Sequence, residues 1–189
     1  MEKENNKLKH IFQDTEIVIL GTFPSETSRN NWFYHKSTNQ FWPIMSKIYA
    51  CDDIGHLKNA SPEKEKQLIE NRQWFLKSRH IGLWDVIQTC DIKGSSDSSI
   101  KNPSYNDLAV LKTECPNLAG IYFSSKKAFQ YYKKYLQTSV KQKDILTWFD
   151  TMTHGDKHIL PSPSSANARK TLKQKTEEWK NLLSKYIRK

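Results

Sequence analysis

A carboxylate interrupts one of the apolar runs of the sequence. Asp85 lies between Trp84 and Val86, inside a segment that is otherwise apolar. Burying an unpaired carboxylate is costly, so Asp85 must meet a polar partner at the end of this run. It could accept hydrogen bonds from backbone N–H groups of a neighbouring loop, which would be a structural role. It could instead contact a bound ligand. Spacing alone favours the structural role and leaves the second open.

Asn39 and His35 lie in an aromatic-rich stretch at 21–42. Asn both donates and accepts hydrogen bonds, so Asn39 can hold a water with one edge while the other edge fixes its position. Asn39 can also cap a helix that begins near Phe41, and the two roles are compatible. His35 titrates near neutral pH, although a histidine among aromatic residues is more often a hydrogen-bonded packing residue than a base.

The run Pro-Ser-Pro-Ser-Ser at 161–165 should be rigid, because each proline fixes its own φ angle. It precedes the last predicted helix, so its hydroxyl groups and the free N–H groups of the helix N-terminus suit a phosphate. Arg169, Lys170 and Lys173 follow in the first turns of that helix. A solvated helix face is the alternative interpretation of these cations.

Four apolar runs predict the strands that would position these residues: 17–20, 81–87, 118–123 and 158–160. Helices are expected at 41–50, from the cap Ser61 to about 79, from Ser104 to 112, after Ser124-Ser125, and at 166–187. Trp74 is expected on or near the inner face of the second of these helices. Residues 141–156 fit either a short strand at 145–149 or a loop.

This alternation of strands and helices predicts an α/β fold with three layers, α/β/α, around a central four-stranded parallel sheet. In such a sheet the loops that follow the strands meet at the carboxyl edge, where ligands bind. The long loops at 22–40, 88–103 and 161–166 are therefore expected to converge. A length of 189 residues fits a single domain spanning 1–189.

Charge and composition restrict the ligand. Thirty Lys and Arg residues oppose 20 Asp and Glu, which gives a formal net charge of +10, and 12% of the residues are aromatic. A nucleic acid matches both features, because phosphates attract cations and bases stack on aromatic rings. The alternative is a basic soluble protein whose net charge only keeps its own molecules from associating.

Cysteine usage and hydropathy indicate the compartment. The three cysteines form no CxxC pair, so we expect reduced intracellular thiols and no zinc site. The first ten residues, MEKENNKLKH, do not resemble a signal peptide, and no apolar run is long enough to span a bilayer. We therefore expect a cytoplasmic monomer, associated with the nucleoid if the source is bacterial.

Four segments, taken in order, resemble the uracil-DNA glycosylase superfamily. They are GTFP at 21–24, HKSTNQFW at 35–42, GLWDV at 82–86 with GSSDSSI at 94–100, and LPSPSSANA at 160–168. Within the superfamily the resemblance is closest to the hypoxanthine-DNA glycosylase branch, and looser to the mismatch-specific uracil-DNA glycosylases.

The resemblance implies that a deaminated nucleotide is flipped out of DNA and that water hydrolyses its N-glycosidic bond, without metal or cofactor. By position, Asn39 matches an Asn implicated in water activation, and Asp85 lies where relatives have an Asn that contacts the base edge. Phe33 matches an aromatic residue that stacks on the base. The remaining residues assigned to the base pocket are Gly21, Thr22, Phe23, Pro24 and His35. Those assigned to DNA contact are Pro161, Ser162, Pro163, Ser164, Ser165, Asn167 and Arg169.

Several positions depart from the pattern of uracil-specific relatives. Phe23 stands where they have a water-activating Asp or Asn, and Leu160 stands where they have a histidine. The hypoxanthine branch shares both differences, so hypoxanthine is the expected base, with uracil or xanthine as further candidates. Ser164 replaces a large apolar residue expected to enter the DNA, which leaves Asn167 or Arg169 for that role. The alternative of another class is a non-catalytic module of the same fold that binds damaged or single-stranded DNA.

Overall fold

The computed structural model describes residues 2–56, 60–94, 96–153 and 155–187. Its strands are β1 (Glu2–Asn5), β2 (Ile17–Gly21), β3 (Ile81–Asp85), β4 (Ile87–Ile92), β5 (Lys101–Tyr105) and β6 (Gly120–Phe123). Its α-helices are α1 (Glu26–Asn30), α2 (Phe41–Tyr49), α3 (Pro62–Ser78), α4 (Leu111–Glu114), α5 (Lys126–Ser139), α6 (Lys143–Met152) and α7 (Leu172–Leu182).

A parallel sheet of β3, β2 and β6, in that order, forms the centre of the molecule. Every residue of β2 is buried, because both faces of this strand are covered. Ile17 and Ile19 belong to a core that includes residues of α2, α3 and α7. Val18 and Leu20 belong to a second core with residues of α5 and α6. Helices therefore cover both faces of the sheet, in the three layers that the sequence predicted.

The prediction of a fourth parallel strand at 158–160 is wrong. Ile159 makes a single parallel bridge to Phe123, and the Leu160 N–H donates to the Phe123 carbonyl over 2.8 Å. The chain before it is a 3₁₀ turn, Gly155–His158. Pro161 and Pro163 follow, and proline has no N–H to continue a ladder. The parallel sheet consequently has three strands within the described residues.

A second sheet, antiparallel, stands where the sequence predicted a loop at 88–103. It has the order β1, β4, β5, and β1 pairs Glu4 with Cys90. The strand predicted at 81–87 is divided: β3 ends at Asp85, and β4 begins at Ile87. At the division, the Val86 N–H donates to the Gly21 carbonyl over 2.9 Å. The partner that extends β4 is the N-terminal segment, which no pattern near β4 reveals.

Helix starts follow their caps where a side chain supplies one. Ser61 accepts a hydrogen bond from the Lys64 N–H at the start of α3, and Ser125 accepts one from the Ala128 N–H at the start of α5. Thr171 and Gln174 form a capping box, so α7 begins at Leu172 and not at the predicted 166.

Three local predictions fail. The helix expected from Ser104 is replaced by a short 3₁₀ turn that Asp107 caps, followed by α4. Residues 143–152 form α6, a helix, where a strand or a loop was predicted. Trp74 is 72% exposed and therefore does not lie on the inner face of α3. Among the described residues no helix is both long and apolar enough to cross a membrane.

Candidate active site

A cleft of about 990 Å³ lies where β2, β3 and β6 end. Its lining comes from the connection between β2 and α2, from residues 96–98, and from the segment after Ile159. The predicted convergence of three long loops is thus observed. The turn between β6 and α5, with Ser124 and Ser125, also lines the cleft and was not predicted. The predicted site residues found in the lining are Gly21, Thr22, Phe23, Pro24, Phe33, Asn39, Asp85, Pro161, Ser162, Pro163, Ser164, Ser165, Asn167 and Arg169.

Asp85 ends β3 opposite Gly21 of β2, and it is 4% exposed. The Asn6 amide Nδ2 donates to Asp85 Oδ2 over 3.1 Å. The Asn106 amide Nδ2 donates to the Asp85 backbone carbonyl over 2.8 Å, which fixes the end of the strand. Asp85 Oδ1 lies directly over Gly21, because a Cβ atom on residue 21 would be 2.1 Å from it. Asp85 therefore has both of its expected properties: a polar partner and a place in the cleft.

Burial raises the pKa of Asp85 to about 7. The hydrogen bond from Asn6 lowers this pKa, and the nearby Asp97 carboxylate raises it. Near neutral pH the Asp85 carboxyl group is thus divided between its neutral and ionised forms.

Asp97 is a second carboxylate in the cleft, and the sequence analysis did not assign it a role. Burial raises its pKa, while a hydrogen bond from Thr22 and the charge of Lys127 lower it. The signal available in the sequence was an acid inside the GSSDSSI segment. Because that acid sits in a polar, serine-rich run, nothing local distinguished it from a solvated loop residue.

Tyr34 also lines the cleft without having been predicted. Its backbone has a φ angle of 53°, in the left-handed region, and its ring stacks on Phe41 with centroids 4.1 Å apart. A Cβ atom built on Gly21 would lie 3.3 Å from the Tyr34 hydroxyl and 2.1 Å from Asp85 Oδ1. The phenol and the carboxyl group are therefore close to each other. Burial raises the pKa of Tyr34 far above its ordinary value, which keeps the phenol neutral.

Asn39 is fixed from three sides. Its Oδ1 accepts a hydrogen bond from the Phe41 N–H, the first N–H of α2, over 2.9 Å, although the N-cap position itself is occupied by Gln40. Its backbone N–H donates to the Lys36 carbonyl over 2.8 Å, and its backbone carbonyl lies 2.8 Å from His56 Nε2. Asn39 also lines the cleft. Its amide nitrogen and the second lone pair of Oδ1 can therefore form hydrogen bonds with a ligand there.

The contacts of His56 with Asn39 and Arg72 define which nitrogen of its ring carries the proton. His56 Nδ1 lies 3.4 Å from an Arg72 guanidinium nitrogen. Arginine can only donate, so Nδ1 is the acceptor and Nε2 carries the proton that is donated to Asn39. The buried Arg72 is itself fixed by donating to the carbonyl groups of Ile54 and Gly55, each over 3.0 Å.

His35 is the predicted site residue that does not line the cleft. Its Nε2 lies 3.2 Å from Glu65 Oε2 of α3, and burial lowers its pKa. The geometry agrees with the packing role that the sequence analysis weighed against a base.

The two predicted aromatic residues of the pocket are buried but contribute to the lining. Phe33 is 3% exposed, and its carbonyl accepts a hydrogen bond from Trp42 Nε1 over 2.9 Å. The Arg29 guanidinium lies 5.3 Å from the Phe23 ring centroid. Phe33 as the residue that stacks on a base stays a prediction.

The 161–165 loop is held by hydrogen bonds to its carbonyl groups at Pro161, Pro163 and Ser164. Trp179 Nε1 donates to the Pro161 carbonyl over 2.8 Å, and the Gln40 N–H donates to the Pro163 carbonyl over 2.8 Å. Lys175 Nζ donates to Gln40 Oε1 over 2.7 Å and to the Ser164 carbonyl over 3.3 Å. This loop and the start of α2, next to Asn39, therefore form one rigid unit.

The expectation that 161–165 leads directly into a helix N-terminus is wrong. Six residues separate this loop from α7, and the capping box at the start of that helix already pairs the N–H groups of Thr171 and Gln174. Any phosphate at this loop would meet side-chain hydroxyls and cations instead. The cations in the cleft lining are Lys36, Lys126, Lys127, Arg169 and Lys170. No group of three or more His, Cys, Asp or Glu residues in the described part of the chain is placed to hold a metal ion.

The model of the uracil DNA glycosylase superfamily matches residues 9–186. The chain belongs to this superfamily. It is 31% identical over 170 residues to a hypoxanthine DNA glycosylase from Methanosarcina barkeri, covering 89% of this chain and 90% of the relative. It is 32% identical over 168 residues to a hypoxanthine DNA glycosylase from Methanosarcina acetivorans, covering 88% and 89%.

A solved structure is similar over nearly the whole length. The solution NMR structure of a candidate uracil DNA glycosylase from Methanosarcina acetivorans has a TM-score of 0.64 and 27% identity, covering 96% of this chain and 97% of that one. Membership of the superfamily makes this chain a DNA glycosylase, a hydrolase of N-glycosidic bonds.

Proposed function

We propose that this glycosylase removes deaminated bases from DNA, with hypoxanthine preferred and uracil or xanthine as further substrates. The observation that carries the proposal is that Asp85 and Asn39 line the same cleft, Asp85 as a buried acid and Asn39 as a fixed amide. The relatives named hypoxanthine DNA glycosylases support the choice of base.

The reaction begins when the damaged nucleotide leaves the duplex and enters the cleft, which costs a few kcal/mol, least for a mispaired base. The cations of the cleft lining attract the phosphates, and the rigid 161–165 loop contacts the strand around the flipped nucleotide. Phe33 stacks on the base, and Asp85 contacts its polar edge.

Asn39 positions the attacking water. The transition state carries positive charge on the sugar and negative charge on the leaving base, so catalysis needs a water held on one face of the sugar. The hydrogen bond from the Phe41 N–H fixes the Asn39 side-chain amide, and the one from His56 fixes the Asn39 backbone, before the substrate arrives. Such preorganisation lowers the barrier because no reorientation is needed during the reaction.

Base release from labelled duplexes tests this function. Each duplex carries one deoxyinosine, deoxyuridine or deoxyxanthosine, and alkali cleaves the abasic sites that the enzyme leaves. We expect fastest release from deoxyinosine, and a loss of about 100-fold or more in Asn39→Ala. Asn39→Ser is the matched control for stability, because its hydroxyl can still accept the Phe41 N–H while it cannot replace the amide. Faster release of uracil than of hypoxanthine, or full activity in Asn39→Ala, would contradict the proposal.

A further inference from the structure

The orientation of Asn6 favours one oxygen of Asp85 as the site of a proton. Asn6 Oδ1 accepts a hydrogen bond from the Leu8 N–H over 2.8 Å, so the amide cannot be reversed. Its Nδ2 is then the atom 3.1 Å from Asp85 Oδ2, and this oxygen must accept. Because a carbonyl oxygen accepts better than a hydroxyl oxygen, this contact favours the proton of a neutral Asp85 on Oδ1, the oxygen that lies over Gly21.

In the part of the chain that the structure describes, no cation is paired with the Asp85 carboxyl group. Within the described part of the chain, none of the ion pairs includes Asp85. The titratable groups that face it are the Tyr34 phenol, which burial keeps neutral, and the Asp97 carboxylate, next to Lys127. The neutral form of Asp85 is thus accessible near pH 7, since burial raises its pKa to about 7.

The protonation state matters because deamination reverses the polarity of two neighbouring atoms on the pairing edge of a base. Adenine and cytosine carry an amino group, a donor, where hypoxanthine and uracil carry a keto oxygen, an acceptor. The adjacent ring nitrogen changes in the opposite sense, from an acceptor to an N–H donor. An ionised carboxylate only accepts, so it can pair with the amino group of the undamaged base or with the ring N–H of the deaminated base, but it cannot pair with the keto oxygen. A neutral carboxylic acid donates, so it favours the keto oxygen.

We propose that Asp85 binds the flipped base as a neutral carboxylic acid and donates a hydrogen bond from Oδ1 to the keto oxygen that deamination creates. This inference rests on the proposed function and names the contact by which the same cleft separates damaged adenine and cytosine from the intact bases. Asp85 in this role is a specificity-determining residue.

The titration of Asp85 can be measured without any substrate. The ¹³C carboxyl resonances of aspartate-labelled protein are followed by NMR as the pH is changed, and the Asp85 signal is the one that Asp85→Asn removes. We expect a midpoint of about 7. A midpoint near 4, the ordinary value for aspartate, overturns the inference whether or not the enzyme releases a base.

Two variants should move this midpoint in opposite directions. Asn6→Ala removes a hydrogen bond that favours the ionised form, so the midpoint rises. Asp97→Asn removes a negative charge that favours the neutral form, so the midpoint falls. A midpoint that neither variant changes contradicts the surroundings from which the inference is drawn.

The pH dependence of hypoxanthine release then tests the contact itself. Between about pH 5.5 and pH 8.5 we expect wild-type release to fall up to tenfold per pH unit above the Asp85 midpoint. Asp85→Asn has an amide that donates at every pH, so it should keep release within about tenfold of wild type and lose the alkaline fall. Asp85→Leu should lose release. An alkaline fall that persists in Asp85→Asn overturns the inference. If no protein releases any base, the proposed function fails, while the NMR titration still decides the protonation of Asp85.

Discussion

Oδ1 of Asp85 occupies the space that the side chain of any residue but glycine would fill at position 21. A Cβ atom on residue 21 would lie 2.1 Å from this oxygen, far closer than non-bonded atoms approach. The register of β2 and β3 places the two residues side by side, at the ends of their strands. Gly21 therefore serves the cleft by leaving room for a carboxyl group, and its own φ angle needs no glycine.

Gly21→Ala should displace the Asp85 side chain and break its hydrogen bond to Asn6. We expect base release to fall by about 100-fold, since a shift of about 1 Å in a catalytic contact has an effect of that size. The matched control is Gly82→Ala, where a Cβ atom would be 3.0 Å from side chains of Ile11 and Thr15, outside the cleft lining. The control should lower the urea midpoint and leave release by the folded enzyme unchanged. Equal losses of release in both variants would show that Gly21 acts only through stability.

Asp85 should make the protein less stable as the pH rises. Its pKa in the folded protein is about 7, raised from 3.8, so the folded state binds more protons than the unfolded state between these values. The stabilising contribution of Asp85 is thus complete below the lower value and is lost as the pH rises through the higher one. The free energy of unfolding of Asp85→Asn, relative to wild type, should therefore increase from about pH 4 to pH 8, on the order of a few kcal/mol. Urea unfolding at both pH values measures this difference. Asp144→Asn, at a carboxylate whose side chain is 70% exposed, is the control and should show little change.

Lys175→Met should loosen the 161–165 loop. Lys175 is 1% exposed, and its ammonium group joins Gln40 to the Ser164 carbonyl. Removing it leaves both acceptors without this donor, which costs about 1 to 3 kcal/mol of stability. We also expect a higher KM for damaged duplexes, because the loop must then be ordered on binding. Lys173→Met, on an exposed position of the same helix, should change neither quantity. An identical KM in the two variants would show that the order of this loop does not affect DNA binding.

Lys126→Ala should weaken DNA binding in a salt-dependent way. Lys126 is exposed and lines the cleft at the start of α5. If it neutralises one phosphate, its removal lowers the slope of log K against log salt concentration by about 1, with little effect on base preference. Fluorescence anisotropy with a labelled duplex at several salt concentrations gives the slope. Lys134→Ala, on the same helix but outside the cleft lining, should keep the wild-type slope.

The sequence alone predicted the parallel sheet at β2, β3 and β6, because each of these strands is buried on both faces and is therefore a continuous apolar run. Ser61 and Ser125 also allowed the starts of α3 and α5 to be predicted, because each is a serine at an N-cap position. The four segments in order also predicted the superfamily, which the family model confirms over residues 9–186.

Only the tertiary structure decided the surroundings of the site. The second sheet pairs the N-terminal strand with residues more than 80 positions away, and the same segment brings Asn6 to Asp85. The contacts of Lys175 with the 161–165 loop likewise depend on how α7 packs against the start of α2. A local sequence pattern reflects which residues are buried and which can cap a helix, so it predicts buried strands and helix starts. Hydrogen-bond partners and pKa values depend on groups that folding brings together from distant parts of the chain, and no spacing within a segment encodes them.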